Sequence, residues 1–192
     1  PDGSIEIDNL TEGTSIIALQ GPSSGEVVRE VLGEGNLVGN FRYQEIVENP
    51  LDIVGWIQGT GYTGEKGFEV FIQDGLATRL WGEILADPRV VPVGLGARNT
   101  LRLEKGFLLS GQDFLWPGLK IETPVLPENF LARNSIETAV PFGVDLDHEF
   151  IGKEKLLNSI NSNERWWGLV CSSRGPSPRR GHAVLDSPDE GS

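Results

Sequence analysis

The sequence predicts an α+β protein in which mixed or antiparallel sheets pack against helices. Two observations carry this prediction: short alternating or β-branched runs are bounded by turn residues, and amphipathic stretches of helical period lie between them. The 192 residues are enough for one compact domain or for parts of two. With 38% hydrophobic and 23% charged residues, the composition is typical of a chain that folds around a core.

The first predicted elements are a strand over residues 15–20 and a helix that follows it. The strand is a β-branched run that a Gly-Pro turn stops. Ser23 can cap the helix while Glu26 reaches back in a capping box, and an apolar stripe continues to Gly33. We therefore expect strand, turn and helix in this order.

Three further strands and a helix are predicted next. Residues 41–47 and 52–58 form two strands around an Asn-Pro turn, and residues 67–73 alternate between two faces. That alternation puts Glu69 on the face opposite the main apolar set. Residues 76–85 carry apolar side chains at helical spacing, so the last strand and this helix form a βα unit.

A helix over residues 95–105 contains good helix formers and three cations, Arg98, Arg102 and Lys105, at a spacing that places them on one face. An anion or an electron-rich ligand would relieve the repulsion between neighbouring cations. A solvated helix face explains the spacing equally well.

Beyond this helix the predicted elements are short. Prolines break residues 107–142 into a loop-rich excursion, and loops of that length are often functional. A short helix over residues 152–158 follows. Residues 165–171 and 182–185 are predicted as strands that open another unit, joined by a turn-rich link.

Charge and cysteine content argue against several classes of function. The net charge of −12 would repel nucleic acid and anionic membranes, and no stretch has the roughly 18–20 apolar residues of a membrane span. We therefore expect a protein of the cytosol or of an organelle matrix. Cys171, the sole cysteine, is most simply a small buried residue, and His148 and His182 offer little for a metal site.

A glycine-rich segment, GTGYTGEKG, occupies residues 59–67. Its Gly-x-Gly-x-x-Gly spacing follows a strand, as in a dinucleotide-binding loop, but such a loop must open a helix and here a strand follows. A glycine-rich hairpin is therefore favoured. Glu69, at its end, is a carboxylate among apolar neighbours, and it needs a partner if it is buried.

Five motifs together carry a resemblance to a known family. They are Ala-Leu-Gln-Gly-Pro at 18–22, Thr-Gly-Tyr-Thr-Gly-Glu-Lys-Gly-Phe-Glu at 60–69, Gly-Leu-Gly-Ala-Arg-Asn-Thr-Leu-Arg-Leu-Glu at 94–104, Gly-Gln-Asp at 111–113 and Phe-Ile-Gly-Lys-Glu at 150–154. In order and approximate spacing they resemble the aminomethyltransferases, the T-proteins of the glycine cleavage system. The chain resembles an internal piece of such a protein.

This resemblance implies an enzyme that takes an aminomethyl group from the lipoyl arm of a carrier protein, the H-protein. It releases ammonia and passes the carbon to tetrahydrofolate, in the cytoplasm of a bacterium or archaeon or in the mitochondrial matrix. Glu69 and Arg98 are implied pterin ligands, with Tyr62 beside them and no protein-bound metal. A carboxylate can accept paired N–H groups of a pterin, and an arginine can donate to its acceptors.

The resemblance also implies a domain division and a missing group. Residues 1–163 correspond to a central folate-binding α+β portion, and residues 164–192 to the beginning of a C-terminal β-barrel-like domain. The catalytic Asp of the family lies upstream of this chain, so no residue here takes that role, and we expect the piece alone to be inactive.

Two alternatives stay open on sequence grounds. One is a related folate-dependent demethylase, or the folate domain of a dimethylglycine or sarcosine dehydrogenase, which would share the pterin wall and differ in the donor pocket. The other is a noncatalytic folate-binding factor of iron–sulfur cluster assembly. That factor predicts a Lys-Gly-Cys-Tyr-type loop, whereas this chain has Tyr-Thr-Gly-Glu-Lys-Gly at residues 62–67.

Overall fold

The computed structural model describes residues 4–114, 133–138, 144–160, 165–172, 174–176 and 178. The chain divides into two compact units, Pro1–Ala132 and Arg133–Ser192.

The first unit contains one antiparallel sheet and three helices in the part that the structure describes. Its strands are β1 (Thr14–Gln20), β2 (Tyr43–Glu45), β3 (Gly55–Gln58) and β4 (Gly67–Gln73). Its helices are α1 (Ser24–Leu32), α2 (Asp74–Leu85) and α3 (Leu95–Glu104), and a 3-10 turn (Glu34–Asn36) follows α1. The strand order is β1-β4-β3-β2, with every neighbouring pair antiparallel. The predicted α+β class with an antiparallel sheet and packed helices is confirmed.

Two predicted strands are shorter than expected. β2 keeps only the centre of the predicted range 41–47, and β3 keeps the last four residues of the predicted range 52–58. Phe41 and Asp52 explain the difference, because their φ angles are +57° and +50°, in the left-handed region that extended strands exclude. Such conformations are set by the surrounding turns and leave no periodic trace in the sequence.

The core lies on one face of the sheet. Phe68, Val70 and Ile72 of β4 are each 1% exposed, and they pack with α1 and α2. Glu69 and Phe71 alternate with them and lie on the opposite face, where both are half-buried. The predicted placement of Glu69 is therefore confirmed.

The prediction of a capping box at the start of α1 is wrong. Ser23 has helical backbone angles and makes no side-chain capping hydrogen bond. Glu26 instead accepts a hydrogen bond from Arg89, at 2.8 Å, so its carboxylate is not available to the helix start. Ser24 holds this end of α1 next to β4, since its hydroxyl donates to the carbonyl of Lys66, the residue before that strand.

Arg89 joins α1 to the end of α2 through three carboxylates. Its guanidinium lies 2.8 Å from Glu26, 2.6 Å from Glu30 and 2.5 Å from Asp87. The side-chain hydrogen bond from Arg89 is the main cause that lowers the pKa of Asp87 to about 2, and the backbone N–H of Arg89 adds to it. The side-chain hydrogen bonds to Asp87 and then to Glu30 raise the pKa of Arg89.

We expect Arg89→Gln to lower stability in a pH-dependent way. The Asp87 carboxyl has a lower pKa in the folded chain than its ordinary value of 3.8, so it stabilises the fold above about pH 4. That contribution is lost as the pH falls from about 4 towards 2. Urea unfolding of the 192-residue chain at several pH values should therefore show wild type and variant converging in acid. Arg79→Gln, at an exposed arginine of α2, is the matched control, and a difference that stays constant with pH would contradict the expectation.

The second unit confirms one predicted element and corrects another. Helix α4 (Lys153–Asn158) follows Gly152, as expected for residues 152–158. Residues 165–171 do not form a strand, and among the described residues no strand pairs with them. Cys171 is exposed, so the prediction that it is buried is wrong. An apolar run of this kind forms a strand only where a partner strand satisfies its backbone groups, and the run itself does not show whether such a partner is present.

Several predictions fall outside the described residues or stay predictions. Most of the excursion at residues 107–142 and all of residues 182–185 lie outside the described ranges, as does His182. The division at residue 163 and the β-barrel-like C-terminal domain stay predictions. Within the described ranges, no helix combines the length and the apolar character that crossing a membrane requires.

Candidate functional site

A cavity of about 730 Å³ runs along β1 in the first unit. β1 is an edge strand, and five consecutive residues of it, from Ile16 to Gln20, line the cavity. The rest of the wall comes from the start of α1 with the turn before it, the loop between β3 and β4, Glu69 of β4, the end of α2, residues 89–93 and the helix α3. Its polar lining includes Gln20, Tyr62, Thr63, Glu65, Glu69, Arg89 and Arg98. All three residues singled out in the sequence, Glu69, Arg98 and Tyr62, therefore line the same cavity.

Glu69 is presented by β4 between two neighbouring strands. It pairs in register with Ala18 of β1 and with Gln58 of β3. The Thr60 hydroxyl donates a hydrogen bond to Oε2 of Glu69. In the described part of the chain, Oε1 has no hydrogen-bond partner, and so the carboxylate keeps acceptor capacity towards the cavity.

Gln20 holds the loop that carries Thr60 and Tyr62. Its Nε2 donates to the carbonyls of Thr60, at 3.1 Å, and Phe68, at 3.2 Å. Its Oε1 accepts a hydrogen bond from the Thr63 hydroxyl, at 3.1 Å. These bonds fix both ends of the loop between β3 and β4 against the last residue of β1.

Close packing around this side chain explains the glycines of the segment at residues 59–67. A Cβ atom at Gly61 would lie 1.9 Å from Oε1 of Gln20, and one at Gly67 would lie 2.5 Å from its amide. The segment joins two antiparallel strands and opens no helix. The predicted glycine-rich hairpin is confirmed, and the dinucleotide-loop interpretation is excluded.

Tyr62 is held by aromatic, cationic and hydrogen-bonding contacts. The guanidinium carbon of Arg98 lies 4.8 Å from the centre of the tyrosine ring, which is a cation–π distance. The Phe107 ring stacks on Tyr62, with centroids 5.6 Å apart. The Tyr62 hydroxyl donates to the carbonyl of Leu108. Tyr62 and Arg98 thus lie in contact with each other in the cavity wall.

Arg98, Arg102 and Lys105, which their spacing places on one face of the helix, lie in three different environments. Arg98 is exposed and lines the cavity. Arg102 is fully buried and forms an ion pair with Asp113. Lys105 lies with its aliphatic chain against Gly64. The spacing indicates only that the three cations are near one another. Packing gives each of them a different degree of burial and different contacts.

The sequence did not identify the residues that hold Glu69 and Tyr62 in place. Thr60, Gln20 and Phe107 contact Glu69 or Tyr62, or hold the loop between them. Strand pairing brings Gln20 to Gly67, and this register is not readable from one sequence. Asp113 belongs to the Gly-Gln-Asp motif, and so the sequence marked this residue. The motif did not indicate that Asp113 pairs with Arg102.

The arrangement suits the recognition of a polar heterocycle. A carboxylate with acceptor capacity and an arginine with donors line one cavity, next to an aromatic ring and apolar side chains such as Ile16 and Trp81. Within the described residues, no group of three or more His, Cys, Asp or Glu side chains is arranged to hold a metal ion.

Comparison with known proteins gives consistent matches. The family model of the GCVT N-terminal domain matches residues 1–116. A probable aminomethyltransferase of Halobacterium salinarum is 36% identical over 180 residues, which cover 93% of this chain and 45% of that protein. An aminomethyltransferase of Thermotoga maritima is 30% identical over 185 residues, which cover 94% of this chain and 46% of that protein. The chain spans about half the length of the curated relatives it matches.

A solved structure shares the fold. The crystal structure of the glycine cleavage system aminomethyltransferase T from Bartonella henselae aligns with a TM-score of 0.59 and 30% identity, covering 77% of this chain and 36% of that one. The matched residues 1–116 include the four strands, α1 to α3 and the whole cavity lining. The resemblance drawn from the motifs is thereby confirmed, and the chain belongs to the aminomethyltransferase, or T-protein, family.

Proposed function

We propose that this chain carries the pterin-binding wall of a folate-dependent aminomethyltransferase of the glycine cleavage system. The observation that carries the proposal is the position of Glu69, Arg98 and Tyr62 on one cavity. These residues come from β4, α3 and the loop between β3 and β4, and so only the folded chain brings them together. Their types match the three needs of a pterin, which are an acceptor, a donor and a flat contact surface.

Tetrahydrofolate fits the residues that are present. The cavity volume of about 730 Å³ lies within the usual range of roughly 300–1,000 Å³ for small-molecule sites. Oε1 of Glu69 can accept from the N–H groups of the pterin, because Thr60 engages only Oε2. Arg98 can donate to the pterin acceptors while it remains close to the Tyr62 ring.

The proposed reaction moves a one-carbon unit from the aminomethyl-lipoyl arm of the H-protein to tetrahydrofolate, with release of ammonia. Tetrahydrofolate supplies the nitrogen atoms that receive the carbon. The residues of this chain bind and orient the pterin, and Gln20 and Thr60 hold the loop and the carboxylate that do so. The proton transfers of the reaction are assigned to residues outside this chain.

Glu69→Gln should weaken tetrahydrofolate binding by about 1–3 kcal/mol, because the substitution removes the charge from a hydrogen-bond pair. Calorimetric titration of the full-length protein with tetrahydrofolate measures the change. Glu45→Gln, on the edge strand β2 of the same sheet, is the matched control, since Glu45 is exposed and does not line the cavity. Equal affinities of wild type and a folded Glu69→Gln protein would refute the assignment of Glu69.

The donor is tested separately from the pterin. An assay of one-carbon transfer that distinguishes methylenetetrahydrofolate from methyltetrahydrofolate should compare aminomethylated H-protein with amine and sulfonium donors, each in the presence of tetrahydrofolate. Transfer from the H-protein alone supports the proposed reaction. Folate binding combined with transfer from one of the other donors would indicate a related demethylase instead.

A further inference from the structure

We propose that the buried ion pair of Arg102 and Asp113 is a positioning pair that sets the orientation of Tyr62 in the cavity wall. This inference rests on the proposed function, because it assigns the ion pair a part in pterin binding. Neither residue lines the cavity, so any influence on a ligand passes through other side chains.

The burial of Arg102 is the first observation. Its side chain is 0% exposed, and it is the only charged residue that is fully buried in the described part of the chain. A buried guanidinium is stable only where its donors are satisfied. Asn99 accepts at 2.7 and 2.9 Å, the carbonyl of Phe107 accepts at 2.9 Å, and Asp113 completes the set.

The second observation is where these bonds lead. Asp113 also accepts the backbone N–H of Leu109, at 2.9 Å. Arg102 therefore fixes the chain at residue 107 directly and at residue 109 through Asp113. Between those points lies Leu108, whose carbonyl accepts the hydroxyl proton of Tyr62. Phe107 itself stacks on the tyrosine ring.

Tyr62 is thus held by two consecutive residues, and the ion pair anchors the backbone on both sides of its hydrogen bond. The loop of Tyr62 is fixed on its other side by Gln20. Loss of the ion pair should release residues 107–109 and let the tyrosine ring rotate away from Arg98. The pterin would then meet a less ordered wall, and its affinity would fall.

Two variants separate this role from a general loss of stability. Asp113→Asn keeps the size of the side chain and removes its charge. Arg102→Lys keeps the charge and removes the planar fork that reaches three acceptors at once, so it serves as a second variant if the first does not fold. Asn36→Ala is the control: Asn36 is equally buried and hydrogen-bonded, to Leu32 and Val47, but does not line the cavity.

The test follows Tyr62 directly in the full-length protein. A 3-fluorotyrosine incorporated at position 62 alone gives a fluorine resonance that reports on the ring environment, and calorimetry gives the dissociation constant for tetrahydrofolate. In Asp113→Asn we expect the resonance to shift or broaden and the dissociation constant to rise about tenfold. Asn36→Ala should leave both unchanged, even where its thermal unfolding midpoint falls.

A Tyr62 resonance that stays in place in folded Asp113→Asn and Arg102→Lys would overturn the proposal. So would a dissociation constant equal to that of Asn36→Ala. If the wild-type protein itself does not bind tetrahydrofolate, the proposed function fails, and the position of the resonance still decides whether the ion pair orients Tyr62.

Discussion

Phe68→Ala should lower the free energy of unfolding by about 3–5 kcal/mol, the usual cost of emptying a buried aromatic site. The Phe68 side chain is 1% exposed and belongs to the core between the sheet and the helices α1 and α2. Its neighbours are held by strand pairing on both sides of β4 and have little freedom to fill the space. Urea unfolding of the 192-residue chain, followed by circular dichroism, measures the difference.

Phe71→Ala is the matched control, because the same residue type lies three positions further along the same strand and on the other face. Phe71 is half-buried, and its ring stacks on Trp56 with centroids 4.9 Å apart. We expect its loss to cost about 1 kcal/mol, as for a cross-strand aromatic pair. Equal losses at both positions would contradict the assignment of the core to one face of the sheet.

The elements that follow from periodicity were predictable. β4 matches the predicted residues 67–73 because a seven-residue alternation specifies both the strand and its buried face. Helices α2 and α3 match residues 76–85 and 95–105 closely, since their apolar spacing and helix formers act within one turn. These signals are local.

Where a residue distant in the sequence decides the outcome, local sequence patterns could not predict it. The Ser-x-x-Glu pattern at the start of α1 is a typical local signal for a capping box. Arg89, 63 residues away in the sequence, instead forms a hydrogen bond with the Glu26 carboxylate. The spacing of Arg98 and Arg102 likewise could not show that Asp113 draws only the second of them into the interior. Both outcomes depend on tertiary contacts, which override propensity and spacing.

In the candidate site, too, some features were predictable from local sequence patterns and others depend on tertiary contacts. Glycine spacing predicted a hairpin, and alternation predicted that Glu69 lies on the face opposite the main apolar set; both agree with the structure. The choice of Glu69, Arg98 and Tyr62 as partners came from resemblance to a family, because no local pattern links residues from three separate elements. Strand pairing and the packing of α3 bring them to one cavity.

Gly55→Ala should destabilise the sheet by about 3 kcal/mol, because the alanine meets both backbone strain and a steric clash. Gly55 begins β3 with a φ of +152°, a value that side chains with a Cβ atom rarely adopt. A Cβ atom at this position would lie 2.0 Å from the carbonyl oxygen of Phe71 in β4. The strand pair must therefore separate locally, at the point where the carbonyl of Gly55 also accepts the N–H of Ile46.

Gly82→Ala provides the opposite control with the same change in side chain. Gly82 lies within α2, and a Cβ atom there would meet no atom within 4 Å. Alanine has the higher helix propensity, so this substitution should stabilise the chain by about 0.5–1 kcal/mol. Changes of opposite sign in the free energy of unfolding at the two positions would show that Gly55 is required because the strands approach closely there, and not because any glycine stabilises the chain. A neutral or stabilising Gly55→Ala would contradict the close approach of β3 to β4.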